Sequence, residues 1–158
     1  MSSDNLQNRP GFTLCFRVPY YETDAMGVVH HANYLHWFEQ GRTEYLRAFG
    51  LPYRFLEEQG IQSPVLGVRC QYRHPARYDD LISLLSFISR YNGIRLTMGY
   101  AAWKEDLLLC VGESDHAFIV NGRAVAPQRS LPEVHSVLSD RLICDQSVAL
   151  EFKNQKWL

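Results

Sequence analysis

Tyr20-Tyr21-Glu22-Thr23-Asp24-Ala25-Met26-Gly27-Val28-Val29-His30-His31-Ala32-Asn33-Tyr34 is where the chain changes its hydrophobic period. Before it, Phe12, Leu14, Phe16 and Val18 alternate with Thr13, Cys15 and Arg17, the pattern of a half-buried strand that stops at Pro19. After it, Tyr34, Phe38, Gly41, Tyr45 and Ala48 form one helical stripe, widened by Leu35, Trp37, Leu46 and Phe49. His36, Gln40, Thr43 and Arg47 fall on the wetter side. The spacing predicts a helix from Ala32 to Phe49, ended by Gly50 and Pro52, with apolar cover wide enough for a helix enclosed by a sheet. A short helical turn, Tyr53 to Gln59, closes at Gly60.

Downstream the period shortens to that of strands, predicted over 65–73, 81–91, 94–104 and 107–120. Asn92-Gly93 is a strong two-residue hairpin signal, Glu105-Asp106 a weaker one, and Pro75 to Asp80 a longer polar connection. One strand, a long helix and then a meander of strands predict an α+β architecture, an antiparallel sheet curved around a central helix. Pro132 opens a short helix expected to end at Leu138, and residues 139–158 show no clear period. The expected organisation is a flexible N-terminus over 1–10, one domain over 11–138 and a C-terminal extension over 139–158.

The chain has 158 residues, 46% hydrophobic and 21% charged, with a formal net charge of -1. That near-neutral balance gives no electrostatic case for nucleic acid or an anionic membrane. No apolar run approaches the roughly 18 residues of a membrane span, and the polar start lacks a signal-peptide core. Cys15, Cys70, Cys110 and Cys144 are widely separated, and no pair has metal-ligand or redox spacing. They read as buried thiols in a reducing cytoplasm, with a disulfide between two of them the minor alternative.

Asp24 carries the chemistry of the turn. An aspartate ahead of a helix is ordinarily a cap or a turn-former. Here it lies several residues before the helix, Gly27 permits a tight path beside it, and the first unpaired helix N–H groups fall at His31, Ala32 and Asn33. A carbonyl placed between them would be polarised by the N–H groups while the carboxylate addresses its carbon. His30 and His31, as neighbours, are expected to point apart, and no ligand set for a metal is present; neither metal nor cofactor is called for. Glu39 is a rival carboxylate, expected to pair with Arg42 at i+3. There is no Gly-x-Ser-x-Gly nucleophile elbow and no glycine-rich phosphate loop.

The motif Tyr20-x-x-x-Asp24-x-x-Gly27-Val28-Val29-x-His31-Ala32-x-Tyr34, followed by Phe38-Glu39-x-x-Arg42-Thr43-Glu44, resembles the hotdog-fold acyl-CoA thioesterases. It is most similar to the 4-hydroxybenzoyl-CoA thioesterase type and its bacterial Tol-Pal-associated relatives. Pro75 to Asp80 and Arg129-Ser130-Leu131-Pro132 resemble the family's later segments, so the likeness runs from about Phe12 to Leu138. The resemblance implies hydrolysis of an acyl-CoA thioester, with Asp24 as catalytic carboxylate and the His31 N–H at the carbonyl-polarising position. It implies supporting roles for Tyr20 and the His31 side chain, and substrate contacts at Gly27, Ala32 and Arg77. It also implies a homodimer or homotetramer with sites between subunits. Met26 stands where close relatives often have glycine. An acyl-carrier-protein thioesterase and a non-catalytic acyl-thioester binder are the alternatives. Arg69, Arg73, Arg77, Arg90 and Arg95 are candidates for the CoA phosphates.

Overall fold

The structure, a computed structural model, describes residues 10–154. The flexible N-terminus expected over 1–10, Pro10 excepted, lies outside the described residues, as do residues 155–158. Strand β1 (Phe12–Arg17) leads through a short 3-10 turn (Tyr20–Glu22) to helix α1 (Asn33–Ala48) and helix α2 (Tyr53–Glu58). Strands β2 (Ile61–Gln62), β3 (Val65–Tyr72), β4 (Leu81–Tyr91), β5 (Leu96–Lys104), β6 (Leu107–His116), β7 (Phe118–Val120) and β8 (Arg123–Val125) follow. Helices α3 (Pro127–Ser130) and α4 (Pro132–Asn154) complete the chain.

The main sheet is antiparallel, in the order β1-β4-β5-β6-β3. Helix α1 packs on its inner face: Trp37 meets Phe16 edge-on at 5.1 Å between ring centroids, and Phe38 stacks on Tyr100 at 4.5 Å. The approach to β4 is closest at Gly41, where an added Cβ would stand 2.5 Å from Ser86 Oγ. Glycine is therefore what lets the helix sit this close to β4, with Trp37, Phe38 and Tyr45 of the same helix buried.

The expected strand over 107–120 is two strands. After His116 the chain leaves β5 and turns so that β7 pairs with β2, forming a second sheet in the order β2-β7-β8. Asn121 and Gly122, both at positive φ, make the two-residue turn between β7 and β8.

Helix α4 does not end at Leu138; it runs unbroken to Asn154, across the expected 138/139 boundary. Its buried positions are Val134, Leu138, Arg141, Asp145 and Ala149, a helical stripe two of whose members are charged, so hydropathy alone hides it. Asp145, fully buried, accepts the N–H of Gly11 and of Ile88 at 2.8 Å each, the Tyr45 hydroxyl at 2.5 Å and Arg141 Nη2 at 2.7 Å. Farther on, Phe152 packs beside Ala101 and Val111, whose strand neighbours face α1, and so reaches the other side of the sheet. The reading of four buried thiols also needs correction: Cys110 is buried, Cys70 and Cys144 are half-buried and Cys15 is exposed.

Candidate active site

The turn that carries Asp24 closes on itself. Asp24 N–H donates to the Val28 carbonyl at 2.8 Å, and Gly27 N–H to the Asp24 carbonyl at 2.9 Å. Gly27 sits at φ +72°, which a side chain would strain. The Met26 N–H donates to Asp24 Oδ1 at 2.8 Å, so one carboxylate oxygen does shape the turn. Among the described residues nothing donates to the other oxygen, Oδ2. The same side chain thus builds the turn and leaves an acceptor open.

Glu22 ties this turn to the helix. Its carbonyl accepts the His30 N–H at 2.9 Å and the Asn33 side-chain amide at 2.8 Å, and its carboxylate accepts Trp37 Nε1–H at 2.9 Å. The His30 and His31 rings stack at 4.2 Å, against the expectation that they diverge. That posture brings His30 Nδ1 to the Ala32 N–H at 3.2 Å, so Ala32 is already capped and has no N–H to offer. The His31 N–H has no acceptor among the described residues, while the His31 carbonyl accepts the Tyr72 hydroxyl at 2.9 Å.

Asp24 and His31 line one cavity of about 290 Å³, together with Met26, Tyr34, Tyr72, Arg73 and His74. Tyr34, placed by α1, accepts the Ala76 N–H at 3.2 Å, and burial pushes its phenol up to about 12. Tyr72 is also pushed up, by burial first and then by its contact with Cys70, so both phenols keep their protons at neutral pH. The His74 ring is held by the Leu108 carbonyl at 2.9 Å from Nδ1. Tyr72 and His74 were missed as cavity-lining residues, although strand alternation puts Tyr72 last in β3 and His74 two residues on, just before Pro75.

The remaining expected residues stand around this cavity rather than in it. Tyr20 is 76% exposed and packs edge-on against Tyr78 at 5.6 Å. Gly27 shapes the turn, and Arg77 Nη1 donates to its carbonyl at 3.3 Å. Glu39 and Arg42 form no ion pair among the described residues; Arg42 turns instead to the Tyr53 hydroxyl at 2.9 Å. Of the arginines considered for phosphate, Arg69 and Arg90 are engaged by Glu113 and Asp115, whereas Arg73 is at the cavity. No cluster of three metal-binding side chains occurs among the described residues, and none of their helices is long and apolar enough to cross a membrane.

Residues 18–142 match the family model of the thioesterase-like superfamily. The acyl-CoA thioesterase YbgC of Haemophilus influenzae is 38% identical over 100 residues, 63% of this chain and 74% of that protein. The crystal structure of a hypothetical protein from Aquifex aeolicus is similar with a TM-score of 0.76 at 35% identity, covering 80% of this chain and 98% of that one. The structure of a DHNA-CoA thioesterase from Staphylococcus aureus gives a TM-score of 0.75 at 25% identity, covering 92% and 95%.

Proposed function

The chain belongs to the thioesterase-like superfamily and has the hotdog fold, and on that premise we propose that it hydrolyses acyl-CoA thioesters to a free acid and CoA. One observation carries this reading: the open Asp24 carboxylate oxygen and the unpaired His31 N–H belong to residues that line the same cavity. The YbgC relative, an acyl-CoA thioesterase by name, supports it independently.

In the proposed reaction the thioester carbonyl oxygen accepts the His31 N–H, in the positive field of the α1 N-terminus. Asp24 acts on the carbonyl carbon in one of two ways. It attacks directly, giving a mixed anhydride as the C–S bond breaks, or it takes a proton from the water that attacks. In both, charge collects on the carbonyl oxygen and CoA leaves as thiolate. The Tyr72 hydroxyl, bonded to the His31 carbonyl, fixes the residue whose N–H must meet that oxygen. Arg73, at the cavity, is the arginine we assign to a CoA phosphate, and Arg77 steadies the Asp24 turn through the Gly27 carbonyl.

The reading extends to assembly and compartment. Strand β3 is an edge of the main sheet and carries exposed Val65, Leu66, Val68 and Tyr72, which supports pairing of two copies beside the site, as a dimer or within a tetramer. Tyr20 and the Tol-Pal-associated likeness of the motif belong to this reading too. We place the protein in the cytoplasm, a compartment that returns thiols to the reduced state.

The test is thiol release from short, long and aromatic acyl-CoAs, with Asp24→Asn as the comparison. The variant, with an unchanged fold by circular dichroism, is expected to lose about two to four orders of magnitude in turnover, the range for an essential acid, base or nucleophile. Near-normal turnover by folded Asp24→Asn would sink the mechanism. Oxygen-18 appearing in Asp24 after a single turnover in labelled water marks direct attack with the anhydride opened at the Asp24 carbonyl. Label in the product acid alone is the result expected of the general base or of an anhydride opened at the acyl carbon.

A further inference from the structure

Behind Tyr72, two cysteines far apart in sequence meet. Cys70 of β3 and Cys110 of β6 bring their Sγ atoms to 3.2 Å. The register pairs Cys70 with Gly112 and Tyr72 with Cys110, so the thiols are diagonal neighbours across one antiparallel pair. A disulfide bond is about 2.0 Å long, so the sulfurs have only about 1.2 Å to travel. Cys110 is fully buried, while Cys70 is half-buried on the edge strand. Their surroundings are the wall of the cavity: Tyr34 and Tyr72 pack edge-on at 5.1 Å, and the Tyr72 hydroxyl holds the His31 carbonyl.

We propose that Cys70 and Cys110 are a reversible modification site, a dithiol that hydrogen peroxide converts into a disulfide joining β3 to β6 behind the cavity. Within one protomer Cys70 is the more accessible of the two, and it reacts first. The Cys110 thiol, hydrogen-bonded to it, holds the Cys70 thiol below its ordinary range; that same bond, and then burial, push Cys110 up. The Cys70 thiolate attacks one peroxide oxygen; an S–O bond forms, the O–O bond breaks, and hydroxide takes a proton to leave as water. The Cys110 sulfur then attacks the sulfenic sulfur of Cys70; the S–S bond forms, the S–O bond breaks, and the Cys110 proton leaves with hydroxide as a second water. Two electrons pass from the thiols to the peroxide, and a dithiol reductant reverses the change.

Closing the bond draws β3 and β6 together directly beneath Tyr72, and so disturbs the hydroxyl that positions His31. This consequence rests on the proposed thioesterase reading of the site; formation of the bond does not.

The experiment treats the reduced full chain with a few equivalents of hydrogen peroxide, then counts thiols after denaturation and maps the cross-linked peptides. The expected result is a fall from four thiols to two, a mass loss of two hydrogens, a single Cys70–Cys110 peptide, and recovery with dithiothreitol. In Cys110→Ser, Cys70 is expected to stop at a sulfenic acid that dimedone traps. Retention of all thiols, a bridge through Cys15 or Cys144, a link between two chains, or oxidation past the sulfenic acid without a bridge overturns the site. Acyl-CoA hydrolysis is read on the same sample. A bridge that leaves turnover unchanged removes the coupling to His31 while the modification site stands, and a protein inactive even when reduced defeats the thioesterase reading alone.

Discussion

His116 illustrates how far one buried side chain can set the behaviour of the fold. It is fully buried at the end of β6; Nε2 meets Ser114 Oγ at 2.7 Å, and that hydroxyl meets the Tyr100 hydroxyl at 2.7 Å. Nδ1 has no partner among the described residues. Burial first, and then the charge of Arg42, hold the imidazole down to about 3. An unfolded chain has the same group at about 6.5, so between those values the unfolded state carries a proton that the folded state refuses. Stability from this group is complete above about pH 6.5 and is lost as pH falls toward 3, by about 1.4 kcal/mol for each pH unit. Between pH 7 and pH 5 the folded chain is expected to lose about 2 kcal/mol from this source. Urea unfolding at the two pH values checks it: the loss should shrink in His116→Gln, and an equal loss in both proteins would show that His116 does not titrate in this way. Asp24 differs from His116 in how it could be found. A polar turn, Gly27 and a following helix made Asp24 legible, whereas the occupied Ala32 N–H depends on the stacking of two histidine rings, which no spacing rule encodes.

At the scale of elements, sequence period located what is amphipathic and lost what is not. Helix α1 was readable because its apolar stripe is broad, and its bounds fall within a residue of those expected. Helix α4 was not, because Arg141 and Asp145 occupy buried positions made tolerable by their mutual 2.7 Å pairing and by the donors that Gly11, Ile88 and Tyr45 bring to the carboxylate. The break at Ala117 was equally silent, since the residues on both sides are strand formers and only the change of partner from β5 to β2 separates β6 from β7. The contact of α1 with β4 supplies a test of packing against propensity. In Gly41→Ala the new methyl would meet Ser86 Oγ at 2.5 Å and Leu84 Cδ2 at 2.7 Å. Alanine gains about 1 kcal/mol of helix propensity over glycine, but overpacking costs about 1–3 kcal/mol. The second effect is expected to win, because β4 lies in the interior of the sheet and cannot retreat. A lower urea midpoint with an unchanged slope is the expected outcome; a raised midpoint would mean that the helix moves freely off the sheet.

For the molecule as a whole, the question is whether residues past Leu138 are an appendage or part of the core. The turn that carries Asp24 lines a cavity at one end of α1, and no residue of α4 is among those that line it. Yet α4 closes the structure elsewhere, where Asp145 receives two backbone N–H groups from β4 and from the chain entering β1, and the Tyr45 hydroxyl from α1. Removing residues 139–158 strips those three donors of their acceptor at one stroke. Each buried donor left unsatisfied costs about 1–3 kcal/mol, and burial of Phe152 over Ala101 and Val111 is lost as well. Against a total stability of about 5–15 kcal/mol for an ordinary domain, the truncated chain is expected to be largely unfolded at 25 °C. The point substitution Asp145→Ala removes the carboxylate and keeps the apolar cover of the helix. It leaves Arg141 buried without its carboxylate, and breaking such a pair costs about 3–5 kcal/mol. Near-ultraviolet circular dichroism and urea unfolding of both variants decide the matter. If the truncated chain keeps a native midpoint, water satisfies Gly11, Ile88 and Tyr45 and the helix is an accessory. If Asp145→Ala alone moves the midpoint most of the way, a single carboxylate joins strand, sheet and helix, and the C-terminal helix is held in the core by charge rather than by grease.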